Sequence, residues 1–141
     1  MIESLARDIW KALGPGYSEA VYHTAFEVGL RKQGVPYESE RIIPLFYEGL
    51  NVGNVRADIV VDGTFVIELK SVARLTEPNR IQIRNYLTLL GLEYGYLINF
   101  PTGVGALECE EVRNPSGSPA APGCLPGPES DTSLAPPLPT L

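Results

Sequence analysis

The sequence predicts an α/β fold, a mixed β-sheet flanked by helices in the order ααβββαββ. Three observations carry it. Two stretches before Gly34 place apolar residues at helical spacing. After Gly34 the period shortens to two, across three β-prone runs separated by turn residues. A further helical stretch, 79–90, then separates two apolar runs, as a crossover between parallel strands does.

Each element has its own local reason. "IESLARDIWKAL" sets Ile2, Leu5, Ile9, Trp10 and Leu13 near one helical stripe, and Gly14-Pro15-Gly16 breaks that helix. Ser18 can cap the next, "EAVYHTAFEVGLRKQG", where Ala20, Val21, Ala25, Val28 and Leu30 offer apolar surface and Gly34 provides a stop. "YESERIIPLFYEG" reads as a strand with Pro44 as an irregularity. "NVRADIVVDG" and "TFVIELKSV" read as two more, turning at Asp62-Gly63. "PNRIQIRNYLTLLG" has Pro78 in its first turn and Gly91 at its end. "YGYLINF" reads as a buried strand, and "GALECEEV" as an edge strand because its charges are dense. No internal repeat is present.

Composition bounds the class. The chain has 141 residues, 44% hydrophobic and 20% charged, which fits one soluble domain, placed at residues 1–113. A net charge of -6 gives no global basic field for nucleic acid, although a local basic cleft remains compatible with it. Two cysteines, Cys109 and Cys124, are too few for a disulfide framework and read as reduced thiols of an intracellular protein. No run approaches the roughly 20 apolar residues of a membrane span, and the first residues lack a signal layout. No membrane partner is expected. Residues 114–141 are rich in Pro, Ser and Gly and are expected to be a disordered tail. Its prolines could engage a polyproline-reading partner, although a plain solvated tail is preferred.

The chemistry concentrates in "FVIELKSV", where Glu68 and Lys70 interrupt an otherwise apolar strand. Residues two apart share a strand face. Asp58, on the preceding strand, completes an Asp…Glu-x-Lys pattern across a hairpin. Two neighbouring carboxylates suit a hard cation such as Mg²⁺ or Mn²⁺, and a lysine beside them can orient a water or balance phosphate charge. The pattern makes a geometric demand. A two-residue Asp62-Gly63 turn would pair Asp58 with Ile67 and send it away from Glu68. Bringing the acids together needs one extra residue, as in an Asp62-Gly63-Thr64 connection or a bulge near Asp58. The plainer alternative is an ion pair of Glu68 and Lys70 on a half-exposed sheet. The apolar company of "ADIVV" and "FVIEL" weighs against it, because unpaired charge is costly there.

Beyond these residues the sequence resembles a known family. "GYSEAVY" sets Gly16, Glu19 and Tyr22 in a Gly-x-x-Glu-x-x-Tyr spacing, followed in order by "GVPYESERIIPLFYEG", "RADIVVDGTFVIELKSV" and "QIRNYLTLLGLEYGYLINF". This closely resembles the GxxExxY protein family, a branch of the PD-(D/E)XK nuclease superfamily, over about residues 2–113. The resemblance implies a restriction-endonuclease-like core. It implies that Asp58 is the first metal-binding acid, that Glu68 and Lys70 are the (D/E)-x-K pair, that Glu19 adds a further acid, and that Gln82 and Tyr86 form a Gln-x-x-x-Tyr on the following helix. It also implies the main-chain carbonyl of Leu69 as a metal ligand. Ala57 stands where the superfamily name has proline, and the proline-rich tail looks foreign to the family. Taken alone, Tyr22 and Tyr86 read as core aromatics with bonded hydroxyls, and Gln82 as a surface helix residue. Arg56, Arg80 and Arg84 could hold phosphates but read singly as solvated, and His23, the one histidine, reads as structural or solvated.

The function expected is Mg²⁺- or Mn²⁺-dependent hydrolysis of phosphodiester bonds, with nucleic acid as partner, DNA ahead of RNA. The alternative is a non-catalytic binding or scaffold protein on the same fold, which the acidic balance favours. A homo-oligomer could assemble a basic groove that one chain lacks. A small-molecule domain has no specific support, since there is no phosphate-cradling Gly loop and no Cys/His cluster.

Overall fold

In the computed structural model, which describes residues 1–115, two helices precede three strands, a third helix and two more strands. They are α1 (Ile2–Leu13), α2 (Glu19–Lys32), β1 (Tyr37–Tyr47), β2 (Leu50–Val61), β3 (Phe65–Lys70), α3 (Glu77–Leu90), β4 (Tyr94–Asn99) and β5 (Glu108–Arg113). The strands form one five-stranded sheet in sequential order. β3 and β4 run parallel through the α3 crossover, and the other neighbours are antiparallel. β5 lies at an edge, as its charges predict. Among the described residues no helix is long and apolar enough to cross a membrane.

Both sheet faces are covered, which explains why "FVIEL" is apolar at every position except Glu68. Phe65, Ile67 and Leu69 face α1 and α2, packing with Leu5, Ile9, Phe26 and Leu30. Val66 faces α3, where Ile83, Tyr86 and Leu87 meet Val60 and Leu97. Gly95 is required by close approach: a Cβ there would stand 2.7 Å from the Val66 carbonyl oxygen.

Two details differ from the sequence reading. The buried stripe of α2 is Tyr22, Phe26 and Leu30, whereas Ala20, Val21 and Val28 are exposed. Aromatic packing sets this rotation: Tyr22 stacks on Phe100 at 4.3 Å between ring centroids, with Trp10 against both. Asn114, read as the first tail residue, is buried and donates its side-chain amide to the Leu92 carbonyl at 2.9 Å. It thus closes the end of α3. The remainder of the expected tail, with Cys124, lies outside the described residues.

α3 has the predicted ends. The Asn79 side chain accepts the Thr76 N–H at 3.0 Å, Pro78 stands in the first turn, and Gly91 takes the left-handed conformation with φ 69. The chain leaving β3 is fixed by buried Asn99. Its Oδ1 accepts the Val72 N–H at 2.9 Å and its Nδ2 donates to the Val72 carbonyl at 3.0 Å. The Lys70 carbonyl accepts the Phe100 N–H at 2.9 Å. The strand end that carries Lys70 is therefore held on its β4 side.

Candidate functional site

The β2–β3 register carries the extra residue that the Asp58…Glu68 spacing demands. Val61 aligns with Phe65 and Ile59 with Ile67, leaving Asp62, Gly63 and Thr64 as the connection. Asp62 and Gly63 both adopt positive φ, 51 and 62, and the Thr64 N–H donates to the Val61 carbonyl at 2.8 Å. Glycine and aspartate tolerate that conformation best. The same register carries Asp58 to the position across from Glu68.

There the backbone ladder stops and the acids replace it. No residue pair beyond Ile59 and Ile67 continues the β2–β3 ladder. Instead, the Leu69 N–H donates to Asp58 Oδ2 at 2.8 Å, and the Asp58 N–H donates to Glu68 Oε1 at 3.3 Å. Each carboxylate satisfies a main-chain donor of the other strand, which keeps both at the opening between β2 and β3.

Glu68 is 3% exposed. Its Oε2 lies 3.7 Å from Lys70 Nζ, and that ammonium donates to Gln82 Oε1 at 2.6 Å. Tyr86 is buried and shares a side-chain hydrogen bond with Gln82. Gln82 is thus no plain surface residue: α3 delivers it to Lys70, and Tyr86 backs it.

Electrostatics mark the place as short of positive charge. Burial first, then the neighbouring Asp58 charge, pushes the Glu68 carboxyl up to about 8. Asp58 is raised mainly by burial, partly offset by its bond from Leu69. Glu19, at the start of α2, is raised by burial and then by Asp58. Tyr86 is pushed up to about 12, by burial and then by the Glu68 and Asp58 charges. Carboxylates that raise one another are the donor set a divalent cation would relieve. Among the described residues, however, no three His, Cys, Asp or Glu side chains form a ready-made cage. Asp58 and Glu68 each spend an oxygen on a main-chain donor. A hard ion that keeps several of its waters needs only one or two carboxylates, so the donor set fits Mg²⁺ or Mn²⁺ in that form.

Asp58 also lines a cleft of about 270 Å³ with Glu19, His23, Glu27, Glu40 and Arg56. Glu40 and Glu27 escaped the sequence reading. Glu40 falls across from Asp58, in a gap of the β1–β2 register, and holds a left-handed φ of 56. Nothing in its sequence context signals this. Glu27 follows Glu19 and His23 at four-residue intervals, a helical spacing that does signal a shared face. A larger groove of about 470 Å³ adjoins Gln82 and Tyr86, but its other walls include Leu45, Val55, Ile81 and Leu89 and bring no acid.

The remaining candidates have structural partners. Tyr22 is a core aromatic whose hydroxyl donates to the Gly14 carbonyl at 2.6 Å. Arg80 forms two bonds with Glu110 at 2.8 and 2.9 Å, tying α3 to β5, and Arg84 pairs with Glu77. Arg56 lies 3.5 Å from Glu40 at the cleft.

No curated protein sequence matches the chain. Among solved structures, the crystal structure of SSO0001 matches with a TM-score of 0.54 at 21% identity, over 68% of this chain and 50% of that one. The likeness is one of fold, and this chain spans half the length of that protein. The sequence model of the PD-(D/E)XK nuclease superfamily matches residues 1–112. An α/β sheet of this topology, with Asp58, Glu68 and Lys70 gathered where β2 and β3 part, agrees with that match, and the chain belongs to the PD-(D/E)XK nuclease superfamily.

Proposed function

We propose that this chain is a Mg²⁺- or Mn²⁺-dependent nuclease of the GxxExxY branch that hydrolyses phosphodiester bonds of nucleic acid, DNA ahead of RNA. The observation that carries the reading is the hairpin register, which aligns Asp58 with Glu68 and opens the ladder between them. Asp58, Glu68 and the Leu69 carbonyl would hold the ion, with Glu19 contributing from α2. Once bound, the ion would polarise the phosphoryl group and favour ionisation of a bound water.

The chain's own residues do the rest. Lys70, steered by Gln82 at 2.6 Å, orients the attacking water and offsets charge developing at phosphorus. Tyr86 keeps Gln82 in place through their shared hydrogen bond. Burial of Glu68 excludes water from one side of the acid pair. Residues 1–113 form the working unit, closed by Asn114.

A scaffold without turnover is the second reading, favoured by a net charge of -6 and by the carboxylates lining the cleft. Pairing of two chains into one basic groove would reconcile acidity with nucleic-acid binding. Cleavage of single- and double-stranded DNA and RNA in Mg²⁺ or Mn²⁺, by wild type beside Glu68→Ala and Lys70→Ala, separates the readings. The nuclease requires cleavage by wild type and its loss in both variants. Binding without cleavage in either metal selects the scaffold.

A further inference from the structure

His23 stands in the cleft beside Asp58, one helical turn from Glu19 on the same face of α2. Its Nε2 lies 3.0 Å from Ser39 Oγ and 3.0 Å from Glu27 Oε2, and the Ser39 hydroxyl donates to the same Glu27 oxygen. Glu27 Oε1 in turn accepts the Tyr37 hydroxyl at 3.0 Å. These bonds fix the tautomer. A carboxylate only accepts, and the Ser39 proton is already spent on Glu27, so Nε2 must carry a hydrogen. The proton that distinguishes charged from neutral His23 therefore resides on Nδ1. Among the described residues nothing engages that nitrogen.

His23 and Lys70 act on Asp58 from elements over opposite faces of the sheet. Lys70 is held by Gln82 on α3, over one face of the sheet, whereas His23 is held on α2, over the other. Both basic side chains act on Glu19 and Asp58. In-line displacement at phosphorus needs that layout, with the attacking water on one side and the leaving oxygen on the other.

We infer that His23 is a further catalytic residue of this site, whose Nδ1–H protonates the leaving oxygen of the phosphodiester. The inference rests on the nuclease reading above. In the step, the oxygen of a water molecule bonds to phosphorus and the bond from phosphorus to the leaving oxygen breaks. The leaving oxygen takes the Nδ1 proton, the attacking water loses one proton to solvent, and the imidazole regains its proton from solvent. Glu27 stabilises the cation and holds the ring. The charged groups around His23 are Glu19 and Glu27 on α2, Glu40 on β1, and Arg56 and Asp58 on β2.

The test compares two substrates that differ in their need for that proton. A deoxyribose oxygen leaves poorly without one, whereas p-nitrophenolate leaves unaided. For His23→Gln, DNA cleavage should fall about 100-fold while hydrolysis of bis(p-nitrophenyl) phosphate falls less than about threefold. Glu27→Gln, which keeps the side chain but loses the orienting charge, should show the same substrate contrast at smaller amplitude. Melting temperatures of both variants check the fold. Equal losses on the two substrates, or none on DNA, overturn the role of His23 alone. Absence of metal-dependent cleavage by wild type on either substrate overturns the nuclease reading as well.

Discussion

The Leu69 N–H donates to Oδ2 of Asp58 at 2.8 Å, at the point where the backbone ladder between β2 and β3 has ended. A side chain has taken over a main-chain hydrogen bond in the middle of a sheet. The site acid is thus also part of the frame, and mutating it has two separable consequences.

Asp58→Ala leaves the part-buried Leu69 N–H without its acceptor and should cost about 1–3 kcal/mol in urea unfolding. Asp58→Asn keeps an acceptor oxygen and should stay within about 1 kcal/mol of wild type, yet lose cleavage. Equal stability of Asp58→Ala and wild type would contradict the structural half.

Glu68 sets a pH dependence with a definite sign. Its carboxyl sits at about 8 in the fold against the ordinary 4.5, so between those values the folded chain holds a proton that the unfolded chain has released. Stability therefore falls as pH rises through this window, by a few kcal/mol at most, and Asp58 adds in the same sense. Melting curves in chelator should show that fall, and Glu68→Gln should flatten it and melt higher at the alkaline end. A wild-type curve that rises over the same window would contradict the sign.

In the proposed reaction Gln82 acts through Lys70, whose ammonium donates to it, rather than on the substrate. Gln82→Ala removes the 2.6 Å acceptor and should lower kcat about tenfold with KM little changed, because the ammonium proposed to orient the water is no longer fixed. A change confined to KM would show that Gln82 touches the substrate instead.

The Arg80–Glu110 pair is two-pronged and about two-thirds buried, with side-chain exposures of 32% and 35%. A double-mutant cycle should give a small favourable coupling that weakens with salt. No effect on cleavage is expected, since the pair joins α3 to β5 away from the acids.

Much of the frame was legible because it depends on local chemistry. Pro78 and Gly91 mark the ends of α3 through backbone preferences that need no tertiary partner. Counting from Asp58 to Glu68 across Asp62-Gly63 exposed the register, because strand faces alternate strictly. The turning of α2 was not legible. Val21 and Tyr22 are both apolar, and the rings of Phe100, just past β4, and Trp10 on α1 select Tyr22 for the core.

The site divides the same way. Asp58, Glu68 and Lys70 follow from spacing, whereas the left-handed Glu40 and the clamp of Asn99 on Val72 arise from pairings distant in sequence. His23 looked solitary because its partner Ser39 lies on another element, although Glu27 was visible one turn away. Asn114 was read with the tail from its composition, and its burial depends on where α3 ends.

The most direct test of the metal site is a calorimetric titration of Mn²⁺ near neutral pH, in two buffers of different ionisation heat. Because Glu68 holds its proton up to about 8, binding should release about one proton per ion. Uptake should vanish in Glu68→Ala and persist in Lys70→Ala, which removes only a competing cation. An unchanged titration of Glu68→Ala, or binding without proton release, would contradict a metal centre built on Asp58 and Glu68.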